Sequence, residues 1–284
     1  PLQVNIVKLP TGSIDSAFAA KIESSSYLAY SYKDAMILGG GYSYIFNNQK
    51  IKSSKDYWFL RINTEASGNL LAAAGKLTDA KKKDGSYNIF GQPFSQYIKT
   101  DIDLRYNYIM SDVGSFVYRG FLGVGIPYGN SKAMPFEKQY FGGGANGIRA
   151  WQVRSLGPGS YLHDTTTFIN QTADLKLEFN TEYRFKLFWI MEGAVFLDAG
   201  NIWTCREDES RPGAQFRFNK FYNDIAVGTG AGLRFDLKFV IGRVDFGMKL
   251  RDPMLTGGSK WIAARRAYTL RDDFTAVLAI GYPF

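Results

Sequence analysis

Long stretches of this sequence alternate between apolar and polar residues with a period of two. Between Leu175 and Phe185 the odd positions are apolar apart from Thr181, whereas the even positions carry Lys, Glu, Asn, Glu and Arg. Successive side chains of a β-strand point to opposite faces, so this segment predicts a strand with one apolar face and one charged face. The same alternation recurs in residues 58–65, 98–108, 225–239 and 244–250.

The length of these stretches narrows the fold class. They run for about 10 to 15 residues, whereas strands of soluble proteins cluster near 5 or 6. Aromatic residues make up 16% of the chain, and they gather near the ends of the apolar faces as a girdle at a lipid–water boundary would. These features favour an all-β fold, an antiparallel transmembrane β-barrel, over a soluble sandwich, whose strands also alternate.

The alternation predicts ten strands, and no apolar run reaches the roughly 20 residues that a membrane-spanning helix needs. The strands are Leu2–Lys8, Met36–Phe46, Tyr57–Ala74, Tyr97–Tyr108, Phe116–Pro127, Asp174–Leu187, Met191–Trp203, Ile225–Phe239, Val240–Leu250 and Phe274–Phe284.

Short turns such as residues 188–190 join some of these strands, and long polar stretches join others. The long stretches are Lys76–Gln96, Tyr128–Thr172, Thr204–Asp224 and Asp252–Asp273. Short turns on one rim and long loops on the other are typical of outer-membrane barrels. Within another loop, Ser13–Glu23 predicts a short helix with Ser13 as its N-cap.

Charge and reactive groups give little support to an enzyme or a nucleic-acid-binding protein. The formal charge is +8, but the clearest basic runs, at residues 81–83 and 265–266, lie in polar, turn-like sequence and indicate solvated loops. The only cysteine is Cys205 and the only histidine is His163, which excludes a disulfide framework and a Cys-rich zinc site. No serine stands in a G-x-S-x-G motif. We expect no catalytic residues, no cofactor, no metal and no nucleic acid.

The segment "FGGGANGIRAWQVRSLGPGSY", residues 141–161, needs separate treatment. Gly142, Gly144 and Gly147 satisfy the spacing G-x-G-x-x-G of dinucleotide-binding turns. That fingerprint requires a strand directly before it and a helix opening within it. Here a polar segment precedes it and Pro158 with neighbouring glycines would end any helix, so we do not predict a nucleotide site.

The same segment resembles the sixth extracellular loop of the BamA/TamA superfamily, the bacterial surface-antigen family of outer-membrane assembly factors. In that family a Gly-Gly stretch leads to a Val-Arg-Gly-aromatic motif, and Ala150 stands here where the glycine is usual. The matching residues are Gly142, Gly143, Ile148, Arg149, Ala150 and Trp151. Further segments in family order are "GVGIPYGNS", "LEFNTEYRF", "AVFLDAGNIW", "GTGAGLRFDL" and the closing "GYPF". The segments "RAWQVRSLGPGSY" and "RPGAQFRFNKFYNDIAVGTG" also resemble the TamA-like lipoprotein branch found in Bacteroidota.

The resemblance implies a specific place for the loop. In the family it folds back into the barrel, and its arginine docks on an acidic residue in each of the next two strands. The matching carboxylates are Glu178 and Asp198, and strand parity places both on the charged, lumenal face. We therefore predict a lumenal plug in which Arg149 contacts Asp198, Glu178 or both, with ordinary solvated lumenal charges as the alternative.

The resemblance also implies a sixteen-stranded barrel, with five strands after the loop. Residues 1–284 would then be an incomplete outer-membrane β-barrel domain, with Leu2–Lys8 and Phe274–Phe284 as unpaired edges. About six further strands and periplasmic POTRA domains are expected upstream.

The implied function is the insertion or translocation of client β-barrel proteins in the outer membrane of a Gram-negative bacterium. The work is assigned to a weak seam between the first and last strands, where clients pair by β-augmentation. By strand parity the even, apolar residues of the last predicted strand share one face. The seam residues among them are Leu278, Ile280, Tyr282 and Phe284. The implied partners are outer-membrane lipids and client outer-membrane proteins, with accessory lipoproteins or a periplasm-spanning protein as further candidates. A passive porin or two-partner secretion pore, and the membrane anchor of a larger surface enzyme, remain alternatives.

Overall fold

A computed structural model of the chain describes residues 2–7, 31, 34–50, 55–77, 82–83, 86–89, 92–162, 171–237 and 239–284. The strands are β1 Leu2–Val7, β2 Ala35–Asn47, β3 Tyr57–Ser67, β4 Lys82–Lys83, β5 Ser86–Ile89, β6 Gln92–Pro93, β7 Tyr97–Ser111, β8 Gly114–Pro127, β9 Leu175–Lys186, β10 Met191–Trp203, β11 Ala226–Asp236, β12 Ile241–Arg251 and β13 Phe274–Ile280. The α-helices are α1 Asn69–Leu77 and α2 Leu270–Asp273, and single 3-10 turns span Phe136–Lys138, Phe221–Asp224 and Ile262–Ala264. The predicted helix Ser13–Glu23 and His163 lie outside the described residues.

Ten strands form one antiparallel sheet in the order β1-β2-β3-β7-β8-β9-β10-β11-β12-β13. This confirms the predicted all-β antiparallel fold and the ten strands of its main sheet. The strands β1 and β13 lie at the two ends of the sheet, and no pairing joins them among the residues that the structure describes. The sheet is therefore open, as expected, whereas the upstream strands that would complete a barrel stay a prediction.

The predicted strand Tyr57–Ala74 was too long. It ends at Ser67, and α1 follows directly after Gly68, whose φ of +80° favours glycine. The sequence of α1 is rich in leucine and alanine, the residues with the highest helix propensity. The predicted loop Lys76–Gln96 also contains three short strands, β4, β5 and β6.

The prediction that residues 274–284 form one strand was wrong at its end. β13 stops at Ile280, and Gly281 adopts a left-handed φ of +82°. The even residues Phe274, Leu278 and Ile280 are exposed on the apolar face, as expected. Beyond the turn at Gly281 that alternation no longer holds for the remaining residues.

The two faces of the sheet differ in character. On β11 Leu233 is exposed on the outer face, while its neighbour Arg234 is fully buried on the inner face. The loop between β8 and β9 packs on part of the inner face, and most of the buried charge among the described residues lies there. Within the described ranges, no helix is both long and apolar enough to cross a bilayer.

We expect the outer face to meet lipid, since exposed apolar surface of this extent is not stable in water. In a Cys205→Ser background, Leu278→Cys should react with apolar thiol reagents in bilayers. Ser43→Cys is the matched control, because Ser43 pairs with Asn63 on the inner face, and it should prefer water-soluble reagents. The reverse pattern would overturn the assignment of the faces.

Candidate functional site

The connection between β8 and β9, residues 128–174, is here called the plug loop. The structure describes residues 128–162 and 171–174 of it. Its start and end are held together by Tyr140 and Ala173, which exchange two backbone hydrogen bonds of 2.8 and 2.9 Å. The glycine-rich part between them is thereby directed onto the inner face of the sheet.

Glycines in the plug loop serve chain packing. Gly142 and Leu156 form an antiparallel bridge that closes the glycine-rich turn. Gly143 has a φ of +81°, and a Cβ at this position would lie 2.2 Å from the carbonyl oxygen of Gln152. A Cβ on Gly147 would lie 2.6 Å from Oε1 of Glu178. Close approach of neighbouring chain therefore accounts for these glycines without a phosphate ligand.

Arg149 lies at the tip of this turn and is fully buried. Its Nε and Nη2 donate to the two carboxylate oxygens of Asp198 at 2.9 and 2.8 Å, and its backbone N–H donates to the same carboxylate at 3.0 Å. Its Nη1 pairs with Glu182. Arginine presents a planar fork that fits a carboxylate in this two-point geometry. Asp198 thus fixes both the side chain and the backbone of the loop tip.

Neighbouring residues hold this pair in place. The guanidinium carbon of Arg149 lies 3.5 Å from the centre of the Phe196 ring. The amide of Asn180 donates to Asp198 at 2.9 Å and to the carbonyl oxygen of Gly147 at 2.9 Å. The amide therefore connects the acceptor of Arg149 with the backbone of the loop that carries Arg149.

The second carboxylate that contacts Arg149 is Glu182, not Glu178. Both residues lie on the inner face of β9, but Asp198 of β10 pairs with Asn180, midway between them. Glu178 instead accepts from Arg119 at 3.3 Å and pairs with Lys176 at 3.0 Å. Strand parity alone identified the correct face for both glutamates. The position of the loop tip along β9 then determines that Glu182, and not Glu178, contacts Arg149.

The Arg149 pairs belong to a larger buried network on β7 to β12. Each arginine contacts at least one carboxylate or carbonyl oxygen, and the carboxylates are shared between arginines. The contacts are Arg234 to Glu182 and Asp245 at 3.0 and 2.7 Å, Arg184 to Glu182 at 2.8 Å, Arg119 to Asp103 at 3.1 Å, and Arg243 to the carbonyl oxygen of Ala145 at 2.9 Å. A network of this kind fixes one position for the loop, since removing one partner leaves another charge buried and unpaired.

Ala150 is fully buried against glycines of two strands. A Cβ on Gly228 of β11 would lie 2.5 Å from the Cβ of Ala150, and a Cβ on Gly247 of β12 would lie 2.9 Å from its Cα. The side-chain-free positions on the strands therefore make room for the alanine that replaces the usual glycine of the loop motif. Only the combination of a small loop residue and these glycines allows so close a contact.

The remaining motif residues form a small apolar cluster. Ile148, Trp151 and Leu156 pack with Ala226 of β11, and all four are buried. The carbonyl oxygen of Ala150 accepts a hydrogen bond of 3.0 Å from the hydroxyl of Thr275 on β13. The plug loop thus contacts the edge strand directly.

The seam residues predicted in the last strand divide into two groups. Leu278 and Ile280 are exposed on the outer face. The hydroxyl of Tyr282 donates to Glu192 at 3.0 Å, and the ring of Phe284 lies 5.5 Å from the guanidinium carbon of Arg149. The prediction that all four share one face was wrong for Tyr282 and Phe284, because the chain turns at Gly281.

Comparison with known proteins assigns the family. No curated protein matches the chain in sequence. A family model described as the Omp85 superfamily domain matches residues 8–257. The chain belongs to the Omp85 superfamily. Its fold resembles the crystal structure of BamA from Haemophilus ducreyi lacking POTRA domains 1-3, with a TM-score of 0.54 and 13% sequence identity. The match covers 88% of this chain and 44% of that chain, so the chain spans less than half of the BamA structure.

These findings confirm the resemblance to the BamA/TamA superfamily, while the TamA-like lipoprotein branch stays a prediction. Several residues of this Omp85 site escaped the sequence analysis. Phe196, Arg234 and Asp245 were visible only as members of alternating strands, since nothing in the sequence indicates which inward residues lie at the depth of the loop tip. Gly228 and Gly247 carried a signal, because glycines on the inner parity of a strand indicate a close approach of another chain segment.

Proposed function

We propose that this chain is the membrane domain of an outer-membrane assembly factor that inserts or translocates client β-barrel proteins. Membership of the Omp85 superfamily supports this role, and the BamA-like fold supports a place in the outer membrane of a Gram-negative bacterium. The observation that carries the proposal is the docked plug loop, which joins the Arg149–Asp198 pair inside the sheet to Thr275 on the edge strand.

The proposed work takes place at β13. An edge strand presents unpaired backbone N–H and C=O groups, and an incoming strand can pair with them by β-augmentation. β13 has 7 residues in strand conformation, fewer than the roughly 9 to 11 that span a bilayer. A short edge strand supports a weakly held seam that a client strand can replace.

In this proposal no covalent bond is made or broken, so the residues of the site act by holding structure and not by catalysis. The plug loop occupies part of the inner face of the sheet, which argues against a passive pore. The upstream POTRA domains, the accessory lipoproteins and the periplasm-spanning partner stay predictions.

Site-specific photo-crosslinking in cells that make the full-length protein tests the function. A photoreactive residue at Leu278 should form adducts with newly made outer-membrane proteins. Leu122 is the control, because it is exposed on the same outer face but lies on a central strand with both edges paired. Equal adduct yields at the two positions, or none at Leu278 in a chain that supports growth, would contradict the role of β13.

A further inference from the structure

The short hairpin turns at one rim of the sheet carry exposed apolar side chains. These turns join β7 to β8, β9 to β10 and β11 to β12. The side chains are Val113, Phe188, Trp189, Leu237, Phe239 and Val240, here called the apolar rim. Trp189 is 89% exposed and Phe239 is 100% exposed. Turns that stand in water are normally polar, so this composition calls for a covering partner.

The three turns lie side by side. The backbone N–H of Lys186 donates to the carbonyl oxygen of Val113 at 2.8 Å, which joins the first turn to the second. The N–H of Asp236 donates to the carbonyl oxygen of Ile190 at 2.9 Å, which joins the second to the third. The apolar rim is thus one continuous feature of the fold.

Trp189 has an unusual backbone. Its φ of +54° lies in the left-handed region, which a bulky residue rarely adopts. The conformation costs free energy in the isolated chain, and no packing inside the protein offsets it, because the indole is almost fully exposed. The turn therefore points a tryptophan outward in a conformation that raises its free energy. A contact with a partner outside the protein would offset that free energy.

The β2–β3 turn provides a contrast within the same rim. Its described residues Asn48, Gln49 and Lys50, which directly follow β2, are polar and exposed. Among the described turn residues of this rim, apolar side chains therefore mark the turns between β7 and β12 and are not found at residues 48–50.

An outward-facing belt of stacked aromatic rings leads directly to the apolar rim. Neighbouring ring centres in this belt lie 4.4 to 6.4 Å apart. Its members are Trp58, Tyr106, Tyr118, Phe116, Tyr183 and Phe185. Aromatic girdles mark the membrane–water boundary of outer-membrane barrels, and short turns lie on the periplasmic side. The belt reaches Phe185, three residues before Phe188.

We propose that the apolar rim is inserted into the headgroup–acyl boundary of the periplasmic leaflet and anchors this part of the barrel there. Continuity with the aromatic belt identifies lipid as the occupant. Tryptophan favours this depth because its ring is apolar and its N–H is polar. The exposed charges of Asp112 and Lys186 beside the tips suit the headgroup level.

This inference rests on the outer-membrane location in the proposed function, but its test does not depend on client insertion. Trp189→Cys or Phe239→Cys is introduced into the full-length protein in a Cys205→Ser background freed of any further cysteine, and the new thiol is labelled with an environment-sensitive fluorophore. Gln49→Cys is the matched control on the polar turn. Each variant is reconstituted in phosphatidylethanolamine and phosphatidylglycerol vesicles, and its heat resistance on semi-native gels verifies folding.

Spin labels at the lipid headgroup or at an upper acyl position should quench the probes at 189 and 239 roughly threefold more than the probe at 49. Aqueous iodide should show the opposite order. Two independent positions guard against a local effect of replacing Trp189. Strong iodide quenching without lipid quenching at both positions would show that the rim stands in the periplasm. Protection from both quenchers would show that a protein surface covers it, and either result would overturn the proposal.

Discussion

Arg149→Ala is expected to cause the largest loss of stability of any single substitution in the plug loop. The variant leaves Asp198 buried with Asn180 as its remaining side-chain partner. Glu182 is affected less, because Arg184 and Arg234 still contact it. Breaking a buried ion pair from one side typically costs about 3 to 5 kcal/mol. The unfolding midpoint on semi-native gels should fall accordingly, and the plug loop should become accessible to protease.

Two further variants show whether the effect comes from the unpaired charge. The double variant Arg149→Ala/Asp198→Ala should lose less stability than the sum of the single variants, because it leaves no unpaired carboxylate at position 198. Arg265→Ala removes an exposed arginine and should leave the midpoint unchanged. Wild-type heat resistance in Arg149→Ala would contradict the importance of the buried pair.

Gly228→Ala should displace the tip of the plug loop, and Ala150→Gly should restore it. The added Cβ would lie 2.5 Å from the Cβ of Ala150, whereas its next contacts are at 3.4 Å. Overpacking of this kind costs about 1 to 3 kcal/mol or more. Removing the Cβ of Ala150 relieves the contact, so the double variant should recover most of the heat resistance that Gly228→Ala loses.

Gly247→Ala supplies the control for this rescue. Its added Cβ would lie 2.8 Å from the carbonyl oxygen of Arg149 and 2.9 Å from the Cα of Ala150. Both are backbone atoms, so Ala150→Gly cannot remove the clash. Rescue of both glycine variants, or of neither, would be inconsistent with the observed contacts of the loop tip.

Sequence periodicity was sufficient for the sheet and for the two faces of its strands. It placed Glu178, Glu182 and Asp198 on the inner face, because parity follows from the strand period alone. It did not distinguish Glu178 from Glu182, which are equivalent in parity and differ only in depth. Depth depends on how the plug loop packs against β10 to β12, and that packing is a long-range property that a single strand does not encode.

The errors at the ends of elements have a different origin. Past Ser67 the even positions remain glycine or apolar as far as Ala74, although Leu71 and Ala73 break the alternation, and past Ile280 they remain aromatic. The pattern therefore predicted longer strands than the chain forms. At both places a glycine with positive φ redirects the chain, Gly68 before α1 and Gly281 after β13. Local backbone chemistry therefore outweighs periodicity where a glycine follows a strand.

The hydrogen bond from Thr275 to the carbonyl oxygen of Ala150 has a thermodynamic consequence. This contact holds both the loop tip on the inner face and the edge strand in the sheet. The docked loop tip therefore stabilises the position of β13, and β13 stabilises the docked loop tip. Linkage of this kind is reciprocal. A client strand that displaced β13 would destabilise the docked position of the plug loop. Release of the plug loop would ease the displacement of β13 by the same free energy.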